Sequence, residues 1–105
     1  MRILVVYDNV ARPPLREGWG FSAFAEIGGR RLLFDAGADR LTLAHNARLL
    51  GLDFSSLTDI FISHPHCDHV GGLSEVMKAV GAPLSLILGG FHLEGASPRR
   101  LGNIA

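Results

Sequence analysis

Six consecutive residues, His64-Pro65-His66-Cys67-Asp68-His69, constrain this chain more than any other feature. They follow an apolar run, Ile60-Phe61-Ile62, and precede a glycine pair, Gly71-Gly72. An extended backbone turns alternate side chains to the same side. His64 and His66 can therefore reach one ion. Asp68 and His69 fall in the turn that follows and point toward a second. Imidazole and carboxylate groups are the usual ligands of zinc, iron or manganese at catalytic centres. The competing reading is a polar turn that is simply rich in histidine. A lone histidine at a strand end fits it; three histidines and an aspartate at this spacing do not. A metal loop must be held before the ion arrives, so it needs a strand before it and a helix start after it.

The flanking sequence supplies both anchors. Ile3 to Tyr7 reads as a strand ended by the turn signal Asp8-Asn9. Residues 11–20 hold Pro13-Pro14 and two glycines and read as a loop. Phe21 to Ile27 and Arg31 to Phe34, parted by Gly28-Gly29, read as a hairpin closed by Asp35-Ala36-Gly37. Arg40 to Leu50 sets Leu41, Ala44, Ala47 and Leu50 at helical spacing beside Leu43, with Gly51 as the stop. Asp53 to Ser56 reads as a turn, Thr58 to Ser63 as the strand entering the histidine loop, and Leu73 to Val80 as a second helix. Pro83 to Leu88 reads as the last strand, ended by Gly89-Gly90. Glu94 to Ala105 shows no period and is expected to be loose. The predicted class is α/β, with helices layered on a mixed sheet. A chain of 105 residues is one domain, here with a core over 1–93 and a tail over 94–105.

Charge and composition narrow the partners. Ten Lys and Arg balance ten Asp and Glu, so nothing favours nucleic acid or an anionic membrane surface. One cysteine rules out an intrachain disulfide and fits a reducing compartment. The N-terminal apolar run is too short for a signal-peptide core, and the uncharged stretch 79–92 is too short to span a bilayer. The expectation is a soluble cytoplasmic protein acting on a small molecule.

At His64 to His69 the sequence resembles the metallo-β-lactamase superfamily, whose signature is His-x-His-x-Asp-His. Leu33-Phe34-Asp35-Ala36-Gly37 resembles that family's strand ending in Asp-x-Gly. Asn46 to Asp53 and Ser55 to Ser63 are similar to the stretch leading into its metal loop. Val6-Tyr7-Asp8-Asn9, the segment from Glu17, Ser63 to Leu73, and Gly89-Gly90-Phe91-His92-Leu93 resemble the dihydropterin–ribofuranosylaminobenzene phosphate synthase-like subgroup. The resemblance implies the N-terminal half of an αββα sandwich. It also implies a metal-dependent hydrolase using a metal-activated water, with up to two ions, zinc first and iron or manganese as alternatives. By the same resemblance His64, His66, Asp68 and His69 are metal ligands, and Asp68 is also catalytic. The resemblance further implies that Asp35 lies under the loop and supports it through hydrogen bonds. Asp8, at the end of the first strand, either supports a ligand or caps a turn.

Members of that superfamily are longer, and their second half supplies further ligands. Little of it is present here. Two protein ligands per ion fall short of the usual three at a catalytic zinc. His92 is the in-chain candidate to complete the shell; otherwise it is a surface histidine beside a turn. A second copy is another source, because a half-fold leaves an apolar sheet face to cover. A homodimer is therefore expected. The alternative to an enzyme is a catalytically impaired short member that binds metal weakly, or a non-enzymatic binding or dimerising module. Among the other residues, Cys67 is read as a variable position facing away from the ions. His45 is read as exposed or packed on the first helix. Trp19 and Phe21 are assigned to core packing rather than to a substrate pocket, and Arg99-Arg100 to a solvated tail rather than to a phosphate site.

Overall fold

The computed structural model describes residues 1–63, 67–80, 84–88 and 91–96, with side chains for 1–63, 69–80 and 84–87. Six strands make one sheet in chain order. β1 (Arg2–Tyr7), β2 (Ser22–Ile27) and β3 (Arg30–Phe34) form an antiparallel meander. β4 (Asp59–Ile62) and β5 (Leu84–Leu88) run parallel to β3, and β6 (Phe91–Ala96) returns antiparallel along β5. Helix α1 (Arg40–Leu49) joins β3 to β4; α2 (Cys67–Val70) and α3 (Leu73–Ala79) join β4 to β5. Parallel neighbours require such crossovers, whereas Gly28-Gly29 suffices for the β2–β3 hairpin. The sheet is mixed and the class is α/β, as the sequence implies.

Strand alternation gives the sheet two unlike faces. Val6, Phe24, Leu33, Ile60, Ile62 and Leu86 are buried on one. Leu43 and Ala47 of α1 and Leu73, Val76 and Met77 of α3 complete that core. Each fully buried aliphatic side chain there contributes roughly 1.5–3 kcal/mol. The opposite face carries the register row Val5, Ala23, Phe34, Phe61 and Ile87. Phe34 and Phe61 stack with ring centroids 4.8 Å apart and planes 11° from parallel. Ile3, Val5 and Phe34 remain 60%, 50% and 41% exposed. This face is apolar and open.

Two details depart from the sequence reading. A sixth strand follows the expected last one, and it runs past residue 93, where the core was expected to end, to Ala96. Gly89-Gly90 separates β5 from β6 as Gly28-Gly29 separates β2 from β3; Phe91 to Glu94 alternates apolar and polar, but the run is only four residues long before Gly95 interrupts it. Residues 97–105, including Arg99 and Arg100, lie outside the described residues. In α1, Leu41 is exposed, and the buried positions are Leu43, Asn46 and Ala47. These sit at i, i+3 and i+4, a helix face with a polar residue inside it. Leu52 N–H donates to the Ala47 carbonyl at 2.9 Å and Gly51 N–H to Arg48 at 3.2 Å. That pair of bonds closes the helix at the expected glycine.

Asn46 is 1% exposed and fully bonded. Its amide donates to the Val6 carbonyl at 2.9 Å and the Arg16 carbonyl at 2.8 Å, and its oxygen accepts from Arg16 N–H at 2.8 Å. One side chain thus ties α1, β1 and the 11–20 loop together. Asn46→Ala removes the partners of three backbone groups, at a cost of roughly 1–3 kcal/mol for each group left buried and unpaired. Urea denaturation is expected to show at least one such increment. A midpoint unchanged from the parent would mean the loop is held by other contacts.

Candidate metal centre

β1, β3, β4 and β5 all point the same way, so their C-terminal ends share one sheet edge with the starts of β2 and β6. Open α/β sheets collect ligand sites at that edge. Asp8 follows β1, Asp35 follows β3, Ser63 and the histidine loop follow β4, and position 92 is the second residue of β6, opposite Ile87. The backbone therefore brings four sequence-distant segments to one place.

Asp35 is the hub of this edge. It is 1% exposed and adopts φ 58°, a left-handed conformation that Asp and Asn tolerate better than bulky residues. Its Oδ1 accepts from Ser63 N–H at 2.7 Å. Its Oδ2 accepts from the Ser63 hydroxyl at 2.8 Å and lies 2.7 Å from His69 Nδ1. A carboxylate can only accept, so Nδ1 carries the proton. The ring's lone pair then belongs to Nε2, on the side away from Asp35. This is how a buried carboxylate sets the tautomer and direction of a histidine that ligates metal. The donor set fits a metal in this respect.

Backbone contacts lock the same elements. Asp35 N–H donates to Phe61 at 2.7 Å, Ala36 N–H to the His69 carbonyl at 2.7 Å, and Gly72 N–H to Gly37 at 3.2 Å. The Ser22 hydroxyl donates to the Asp35 carbonyl at 2.7 Å. The glycine pair after the loop is required by proximity, because a Cβ on Gly71 would fall on the Ala38 carbonyl. Gly37 needs its glycine twice over: its φ is 66°, and a Cβ there would strike the ring of Tyr7. That ring is 1% exposed, and its hydroxyl accepts from Asp39 N–H at 3.2 Å.

The predicted residues divide as follows. Asp35 and His69 are in contact. The backbones of Cys67 and Asp68 lie with His69 in the short helix α2. His64 and His66 lie outside the described residues, as do the side chains of Cys67, Asp68 and His92. Among the described residues, no group of three or more His, Cys, Asp or Glu side chains is placed to hold an ion. Asp8 is exposed, and its Oδ1 accepts from the adjacent Asn9 N–H at 2.8 Å, a local turn contact. His45 Nε2 donates to the Pro14 carbonyl at 3.0 Å, a contact of α1 with the 11–20 loop. Trp19 contradicts its assignment to the core: it is 64% exposed. Ser63 and Tyr7 were not singled out as site residues. Ser63 could have been found from its place, a hydroxyl residue between an apolar strand and the first histidine.

Fold and edge together define the class. The chain has the metallo-β-lactamase superfamily fold, and its structural neighbours are metal-dependent hydrolases. Tm1679, a solved metal-dependent hydrolase of the β-lactamase superfamily, superposes with a TM-score of 0.57 at 36% identity, over 70% of this chain and 26% of its own. The particular family is described as anti-Pycsar protein Apyc1: its model matches residues 17–80, more than half the sequence, and the chain belongs to it. An uncharacterized protein of Methanocaldococcus jannaschii, MJ0448, is 40% identical over 72% of this chain and 29% of its own length. The same organism's 7,8-dihydropterin-6-methyl-4-(β-D-ribofuranosyl)-aminobenzene-5′-phosphate synthase is 32% identical over 68% of this chain and 25% of its own. The chain thus spans less than a third of the relatives it matches. No helix among the described residues is long and apolar enough to cross a membrane.

The geometry separates the two aspartates proposed to support the loop. Asp35→Asn keeps shape and tolerates the left-handed backbone, but removes the charge that three donors share. It is expected to cost roughly 1.5–3 kcal/mol in urea denaturation. Asp8→Asn, on the surface, is expected to stay within about 0.5 kcal/mol. Equal costs would contradict the assignment of Asp35 as the hub.

Proposed function

We propose that this chain carries the metal-binding half of a metal-dependent hydrolase that acts on a small molecule. The observation that carries the reading is the buried Asp35 carboxylate fixing His69 Nδ1 at the sheet edge where the histidine loop emerges. His64 and His66 would hold one ion, and Asp68 and His69 a second. Zinc suits this nitrogen and oxygen set, and iron or manganese are the alternatives. His92 stands on β6, separated from β4 by β5, at the same edge and is proposed to complete the shell. Bound metal supplies an acidified water and polarises the substrate oxygen. The chain's own residues do the positioning. Asp35 keeps the His69 imidazole in one tautomer and one direction. Ser63 holds Asp35 through two bonds, so movement of the loop's entry would disturb the histidine at its exit. Asp68 would orient the attacking water or hold the second ion.

Zinc titration by calorimetry tests this, together with hydrolysis of chromogenic ester and phosphodiester substrates with and without added metal. The parent chain is expected to bind zinc, and His64→Ala and His69→Ala to lose that binding. Asp35→Asn is expected to weaken it about 10–100-fold. Weak binding unchanged by His64→Ala would contradict the reading. Tight binding with no hydrolysis would favour the non-enzymatic alternative.

The open sheet face supports a second proposal, that two copies of this 105-residue chain pack face to face. Val5, Phe34 and Ile3 would then leave water. Light scattering coupled to size exclusion is expected to give twice the chain mass, and Phe34→Lys to return it to the single value. A monomer at high concentration removes the proposal.

A further inference from the structure

Trp19 is 64% exposed, yet the backbone on either side of it is held. Gly18 N–H donates to the Asp8 carbonyl at 3.0 Å, and Gly18 lies against Tyr7, where a Cβ would overlap the phenol. Gly20 N–H donates to Asn9 Oδ1 at 3.2 Å. One residue further, the Phe21 carbonyl accepts from Gly37 N–H at 3.0 Å. An indole is a large apolar surface and is normally drawn inward. Here a clamped segment presents it outward, at the sheet edge that carries the histidine loop. The link to that loop is short: Phe21 binds Gly37, two residues after the Asp35 that holds His69. With the backbone on both sides already held, only the side-chain torsions of Trp19 need settle when a second flat ring stacks on the indole.

We propose that Trp19 is a substrate-positioning residue, a platform at the sheet edge beside the end of β1 on which the flat heteroaromatic ring of a small-molecule substrate stacks. The proposal rests on the hydrolase reading for its link to turnover, but not for ring binding itself. Stacking a base on an aromatic side chain contributes roughly 1–3 kcal/mol. The same ring tolerance would admit different heterocycles, because stacking reads the π-face rather than an edge pattern.

The chain has one tryptophan, so its fluorescence reports this position alone. Metal-free and zinc-loaded protein would be titrated with pterin and with adenosine 5′-monophosphate, with ribose 5-phosphate as the ring-free counterpart. Saturable quenching by the two ring compounds, after inner-filter correction, is expected in both forms, and none by the sugar phosphate. By calorimetry Trp19→Ala should weaken ring binding at least tenfold, and Trp19→Phe should restore most of it. Zinc affinity should be the same in both variants and the parent. Emission unmoved by the ring compounds, equal effects of ring and ring-free ligands, or parental affinity in Trp19→Ala would overturn the proposal. So would a change of oligomeric mass in Trp19→Ala, which would make the indole a subunit contact. A chain that takes up no zinc overturns the metal reading alone, since the metal-free titration still judges Trp19.

Discussion

One buried carboxylate holds this site together. Asp35 sits at the end of β3 and accepts from Ser63, at the end of β4, and from His69, in α2. These are the two ends of the histidine loop. A carboxylate removed from water is costly unless donors replace its hydration. Here three donors do so, two on Ser63 at the end of β4 and one on His69 in α2. At the left-handed turn the Asp35 carboxylate meets Ser63 and His69.

The packing around that group follows from close approach. Gly71 and Gly72 let the turn after the loop rest on the backbone of residues 36–38. Tyr7 fills the space beside Gly37 and Gly18, so the end of β1 and the segment before β2 are wedged against the same turn. Asn46 reaches from α1 to fix the 11–20 loop. The covered face of the sheet supplies the apolar contacts that keep α1 and α3 in place, and the edge gathers the residues of the proposed metal site.

Much of this was legible in the sequence because period and punctuation agree there. Alternation over Phe21 to Ile27, the glycine pair, and the run Ile60-Phe61-Ile62 each point to one element. The Asp35 contact with the loop was expected from resemblance, not from spacing, since residues 35 and 69 meet only in the fold. β6 escapes notice because its alternation, Phe91 to Glu94, is only four residues long before Gly95 interrupts it. The buried face of α1 was misplaced because Asn46, a polar residue, occupies it; its three partners come from distant segments and leave no local trace. Trp19 was assigned inward on composition alone. Hydrophobicity predicts burial for a free side chain, and it fails where the backbone on both sides is clamped at an edge.

Asp35 sets the tautomer of His69. Long-range nitrogen–proton correlation spectra of the metal-free protein, labelled with nitrogen-15 in histidine, read this directly. The proton is expected on Nδ1 of His69 in the parent, and a mixture of tautomers in Asp35→Asn. A neutral His69 with its proton on Nε2 in the parent, or spectra unaltered by Asp35→Asn, would contradict it.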